Sequence, residues 1–141
     1  MSLSIFNARL LDPASGLDEI GGILIEDGFI TAISPGATGA VGNANEVIDA
    51  GGLCLAPGLI DLRVKTGEPG DEQKETLATA SRAAVAGGVT SLVVMPDTKP
   101  VVDDVALVRY ISDRAKVSAK ARIYAAGALT VGLEGHAMAE I

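Results

Sequence analysis

The chain has 141 residues, 48% of them hydrophobic but only 3% aromatic, and its 18 acidic against 11 basic side chains give a net charge of −7. That length suits one ordinary domain rather than a large multidomain enzyme, and the hydrophobic fraction excludes a disordered chain. An acidic chain with two Tyr, two Phe and no Trp repels phosphate backbones and has little to stack on bases, which excludes nucleic acid as the expected partner.

A mean hydropathy of +0.38 raises the question of a membrane. The apolar runs are short and broken, however: Leu53 to Leu62 contains Pro57-Gly58 and Asp61, far from the roughly 20 apolar residues of a span. No basic segment followed by an apolar one opens the chain, and the single Cys54 has no internal partner for a disulfide. Both features fit a cytoplasmic, reducing setting.

In chain order, Leu3 to Leu11 reads as a strand, Asp12 to Gly16 as a loop, and Gly22 to Glu26 as a second strand. Asp27-Gly28 then predicts a two-residue hairpin turn into Phe29 to Ile33. Residues 34–45, rich in Gly and Ala, read as a surface loop. Gly36, Gly39 and Gly42 lie three apart there, without the flanking strand and helix that a phosphate cradle needs. Val47 to Asp49 and Leu53 to Leu55 are short strand candidates around Gly51-Gly52. On that strand Cys54 reads as a core residue rather than a nucleophile.

The pattern changes at Pro57-Gly58. Leu59 to Val64 is a mostly apolar strand, followed by a polar loop from Lys65 to Asp71. A helix is predicted from about Glu72 to Ala86, with Asp71, Glu72 and Glu75 about its first turn and Gly87-Gly88 closing it. Its small apolar face comprises Leu77, Ala80 and Ala84, with Val85 beside it. Val89 to Met95 reads as a buried β-branched strand with Met95 in the core, and Pro96 to Pro100 as a loop. Asp103 or Asp104 caps a second helix, in which Val105, Val108, Ile111 and Ala115 keep helical spacing. Ala121 to Ala126 is a third strand. Strands alternating with helices predict a parallel sheet with right-handed crossovers. A complete (β/α)8 barrel takes about 250 residues, so residues 57–141 amount to less than half of one.

The succession Ile25-Glu26-Asp27-Gly28-Phe29-Ile30, Val47-Ile48-Asp49-Ala50-Gly51-Gly52 and Pro57-Gly58-Leu59-Ile60-Asp61 resembles the opening of the amidohydrolase superfamily. Within it, Glu68-Pro69-Gly70, Lys74-Glu75, Ala83-Ala84 with Gly87-Gly88-Val89-Thr90, and Met95-Pro96-Asp97-Thr98-Lys99-Pro100 are similar to dihydroorotase. The resemblance implies an α/β fold, the N-terminal part of a metal-dependent-hydrolase (β/α)8 TIM barrel preceded by a small β-sandwich segment. Residues 1–56 would be the β-rich part of that composite sandwich, and residues 57–141 the first βαβαβ portion of the barrel. It also implies pyrimidine biosynthesis, through zinc-assisted reversible cyclisation of carbamoyl aspartate to dihydroorotate.

The chain departs from that family where the chemistry is done. The resemblance implies Asp-x-His-x-His at the end of the first barrel strand, two imidazoles one residue apart that grip zinc with neutral nitrogens. Here Asp61-Leu62-Arg63-Val64-Lys65 puts cations at both former metal positions, Arg63 and Lys65. Arg keeps its proton and offers no lone pair. A cation about 4 Å from a single unit charge costs about 4 kcal/mol at an effective dielectric of 20, and zinc carries two charges. The former substrate-binding positions are changed as well: Gly67 stands for an Arg that holds the substrate carboxylate, and Asp97 for an Asn. No catalytic residue and no metal ligand is expected within this segment. The family's remaining ligands (a carboxylated Lys, two His and a catalytic Asp) belong beyond Ile141. His136, the one His, reads as a surface residue.

Arg63 and Lys65 admit two readings. They form an anion site at the barrel mouth, with Lys65 even a Schiff-base nucleophile if burial lowers its pKa, or they pair with Asp61 or Asp97 and fill the vacated pocket. The second is preferred here. Glu68-Pro69-Gly70 and Gly87-Gly88 read as backbone determinants that keep the family shape. The expectation is a dihydroorotase-like protein without catalysis, assembling with aspartate carbamoyltransferase or with itself. The alternative is an active cyclic-amide amidohydrolase using metal ligands outside this segment.

Overall fold

In the computed structural model, which describes all 141 residues, the first 57 residues form a five-stranded sheet. β1 (Ser2–Asp12) is its centre. β2 (Leu17–Glu26) pairs with it antiparallel from Ser2–Glu26 to Asp12–Leu17, and β3 (Phe29–Pro35) pairs antiparallel with β2. β4 (Glu46–Asp49) and the two-residue β5 (Cys54–Leu55) lie parallel to β1 on its other side. Asp27 and Gly28 both have positive φ, 50° and 84°, as the predicted tight hairpin requires. Alternation along β1 turns Ala8 and Leu10 inward, where they pack with Ile23 and with Ile5, Leu17, Ile25, Ala50 and Leu55. This is the core of the compact unit Met1–Pro57.

Two readings of this unit need correction. β2 starts five residues before Gly22, because Gly21 and Gly22 are interior strand residues rather than a boundary. A Cβ on Gly21 would stand 2.6 Å from the Ser34 carbonyl oxygen, and one on Gly22 2.7 Å from that of Ile5. Glycine is there for close approach, not for a turn. Cys54 is exposed. Leu55 is the half-buried residue of the pair, and neighbouring residues on a strand face opposite ways.

The second unit, Gly58–Ile141, has the chain order β6 (Leu59–Val64), α1 (Leu77–Ala86), β7 (Val89–Val94), α2 (Val105–Ser118), β8 (Arg122–Ala125). The three strands are parallel in the order β6-β7-β8, with Leu59 opposite Val89, Val64 opposite Val94, and Val94 opposite Ala125. Leu77, Val94, Val102 and Ile111 are fully buried together, flanked by Val64, Leu107, Val108, Ile123 and Ala125. A short 3-10 turn, Val131–Leu133, follows. No helix is long and apolar enough to cross a membrane.

α1 begins at Leu77, not Glu72. Thr76 and Thr79 form a reciprocal cap: the Thr79 N–H donates to Thr76 Oγ1 (3.1 Å) and the Thr76 N–H to Thr79 Oγ1 (2.9 Å). Asp71, Glu72 and Glu75 therefore lie in the preceding loop, leaving no acid in the helix's own first turn. β7 stops at Val94, and Met95 beyond it is only half-buried, its N–H donating to the Val64 carbonyl at 2.9 Å. On α1, Ser81 is buried with Leu77 and Ala80, whereas Val85 is exposed. At α2 the cap is Asp104, whose carboxylate accepts from the Ala106 N–H at 2.5 Å. Asp104→Ala leaves that donor without its side-chain acceptor, and a loss of about 1 kcal/mol is expected in chemical denaturation.

Candidate functional site

The ends of β6 and β7 bring the singled-out residues together. Arg63 is the penultimate residue of β6 and Lys65 follows its last. Asp97 lies three residues past the end of β7. The Lys65 ammonium is ion-paired with the Asp97 carboxylate. Lys65 holds the Asp97 carboxyl below the usual carboxylate range, mainly through that hydrogen bond, with a smaller contribution from the charge of Arg63. A carboxyl lowered by folding lends stability above its ordinary titration range, near pH 3.9, and that stability is lost as pH falls through the lowered value. Lys65 is 68% exposed, so the contribution is small.

Of the two expected acids, Asp61 does not bind the Arg63 guanidinium. Its carboxylate accepts instead from the Arg63 backbone N–H at 3.0 Å. Arg63 is exposed and forms no ion pair. His136 is likewise exposed.

The loop from Lys65 to Thr76 is folded tightly on itself. The Gly67 carbonyl accepts from the Asp71 N–H at 2.6 Å. A Cβ on Gly67 would collide with the Asp71 carbonyl oxygen and stand 2.7 Å from that of Glu75. With this backbone no side chain of any kind fits at position 67. Lys65, Thr66, Gly67, Asp71, Lys74 and Glu75 line an open polar cleft of about 440 Å³. The loop is also joined to the segment after β7. The Lys99 N–H donates to the Pro69 carbonyl at 3.2 Å, and the Lys99 ammonium lies 3.8 Å from Asp71, which also binds Lys74 at 2.9 Å.

Beneath the loop lies Glu68, only 1% exposed. One carboxylate oxygen accepts from the Leu77 N–H at 2.9 Å. The other accepts from Arg114 Nε at 2.9 Å and from the Tyr110 hydroxyl at 3.3 Å. Glu68 thus supplies the anion that the α1 N-terminus favours, from nine residues upstream. Burial, and then the charge of Glu68, raise the Tyr110 phenol, and the hydrogen bond that Arg114 donates to Glu68 raises the Arg114 guanidinium. Tyr110 and Arg114 carry no signal of this role beyond their i,i+4 spacing, which puts both on one side of α2.

These residues do not fit zinc. Arg63 presents a guanidinium and Lys65 a paired ammonium, neither with a lone pair to offer, and nowhere in the chain do three His, Cys, Asp or Glu residues gather closely enough to hold a metal ion.

Comparison with known proteins bears on the scaffold around this site. A family model described as dihydro-orotase-like matches residues 52–141. A dihydroorotase-like protein of Pseudomonas putida is 46% identical over all of this chain and 33% of its own length, and a dihydroorotase of Pelobacter propionicus is 44% identical with the same coverage. The chain therefore spans one third of the length of these curated relatives. The solved L-hydantoinase (dihydropyrimidinase) from Arthrobacter aurescens superposes with a TM-score of 0.78 at 26% identity, over 91% of this chain and 28% of that one. The fold is thus an N-terminal β-sandwich segment and the first part of an amidohydrolase TIM barrel. On the matched residues 52–141 and the end-to-end identity with both relatives, the chain belongs to the dihydroorotase-like family of the amidohydrolase superfamily.

Proposed function

We propose that this chain is part of a dihydroorotase-like protein of pyrimidine biosynthesis that has lost the zinc-dependent cyclisation and acts as a structural partner of aspartate carbamoyltransferase. The observation that carries this reading is the pairing of Lys65 with Asp97, which joins a former metal position to a former substrate position within the chain itself. Gly67 adds to it: the close approach of the Asp71 and Glu75 carbonyls excludes an anion-binding side chain there. The relatives do not separate the alternatives by identity alone. The one named dihydroorotase-like protein and the one named dihydroorotase are within two percentage points of each other. The charges at the end of β6 weigh toward the inactive reading.

Full-length protein, assayed with added zinc, is expected to hydrolyse no dihydroorotate. Mixed with aspartate carbamoyltransferase, it is expected to elute in size-exclusion chromatography as a joint species larger than either. Turnover at ordinary enzyme rates, of order 1–1000 per second, overturns the inactive reading in favour of ligands outside this segment. Separate elution removes the partner, and a large species formed by the protein alone replaces it with self-association.

A further inference from the structure

The disagreement between zinc and these residues has a structure of its own. β6 and β7 are neighbouring parallel strands with Val64 opposite Val94, and the Met95 N–H bond to Val64 carries the ladder to the strand ends. Lys65 and Asp97, 32 residues apart in sequence, leave those ends facing each other. The Asp97 carboxylate is the one anion there that accepts an ammonium. The charge of Arg63 acts on the same carboxylate from the neighbouring strand, in the same direction as Lys65. A hard oxygen donor is therefore present at the strand end, and it is already occupied.

We infer that Lys65 is a tethered cation that fills the place of a metal ion at the end of β6, with Asp97 as its ligand, so that the two residues act as one unit. The inference rests on the reading of the site as non-catalytic. It adds that metal is excluded by an internal competitor as well as by the loss of two imidazoles. An incoming dication has to displace the Lys65 ammonium from Asp97 and then stand against the two positive charges of Arg63 and Lys65. Exchange of those cations for neutral imidazoles removes the competitor and leaves Asp97 free. Two nitrogens and one carboxylate oxygen are a donor set that zinc accepts, with the fourth position open.

The test uses full-length protein, with zinc measured by equilibrium dialysis and elemental analysis. The double variant Arg63→His/Lys65→His is expected to bind one equivalent of zinc more than the wild-type protein. Addition of Asp97→Asn to that variant is expected to weaken this extra site by about tenfold or more, the scale on which a lost ligand or its support acts. A folded double variant without the extra zinc overturns the inference, as does an extra site that Asp97→Asn leaves unchanged. A double-mutant cycle of Lys65→Met and Asp97→Asn, read as thermal midpoints, keeps the claim testable should the histidine variants fail to fold. Non-additive midpoint shifts support a single unit, and additive shifts overturn it. Hydrolysis of dihydroorotate by the wild-type protein would overturn the inactive reading and this inference with it, whereas failure of the zinc measurements overturns this inference alone, so the two failures are distinguishable.

Discussion

Replacement of Glu68 by Ala is expected to lower the unfolding free energy by about 3 kcal/mol, among the largest effects of any single substitution in the second unit. The side chain is 1% exposed and accepts from three donors on two helices. Its removal leaves the Leu77 N–H without an acceptor at the start of α1 and opens a void beneath the loop. Arg114 is 53% exposed and regains water, so the loss falls at the low end of that for a fully buried ion pair broken on one side, about 3–5 kcal/mol. Glu68→Gln keeps the shape and one acceptor oxygen but turns an NH2 toward donors, and an intermediate loss is expected. Urea denaturation monitored by circular dichroism measures both. A loss under about 1 kcal/mol for Glu68→Ala contradicts the assignment of Glu68 as the anchor of the loop.

Gly70→Ala is expected to cost about as much, for a different reason. Gly70 has φ of 102°, and an added Cβ would collide with the Lys99 carbonyl, a backbone atom with no freedom to swing aside. Gly88→Ala provides the control, since its φ is 80° but a Cβ there meets nothing within 4 Å. The control pays for backbone conformation alone, about 1–2 kcal/mol. Gly70→Ala adds the displacement of the segment after β7, for a total of about 3 kcal/mol. Equal midpoints for the two variants in thermal denaturation sink the claim that the loop after β6 is seated on Lys99.

The parallel β6-β7-β8 order and both helices of the second unit were legible because their signals are local: β-branched runs, helical spacing of Val108, Ile111 and Ala115, and glycines after the helix. The start of α1 was not. Asp71, Glu72 and Glu75 resemble the acidic first turn of a helix, and nothing local ranks them below the Thr76–Thr79 cap. Gly21-Gly22 has the composition of a turn, and only the approach of the Ser34 and Ile5 backbones, distant in sequence, makes it strand. Cys54 shows the limit of apolar runs as a guide to burial, since a two-residue strand buries one side chain and exposes the other.

At the site, Arg63, Lys65, Gly67 and Asp97 are legible from their positions in the motif, which offers the two cations Asp61 or Asp97 as partners. The choice between Asp61 and Asp97 depends on where β7 ends relative to β6, a tertiary quantity. The motif presents Glu68 only as part of the backbone determinant Glu68-Pro69-Gly70. Its donors on α2 lie 42 and 46 residues away, beyond any local pattern.

The seating of Glu68 separates architecture from reactivity. All three of its donors come from helices, none from the residues at the barrel mouth. None of those donors depends on Arg63, Lys65 or Asp97, so exchange of these three side chains is expected to leave the loop seated as it is. Anchorage from below leaves the strand ends above free to vary.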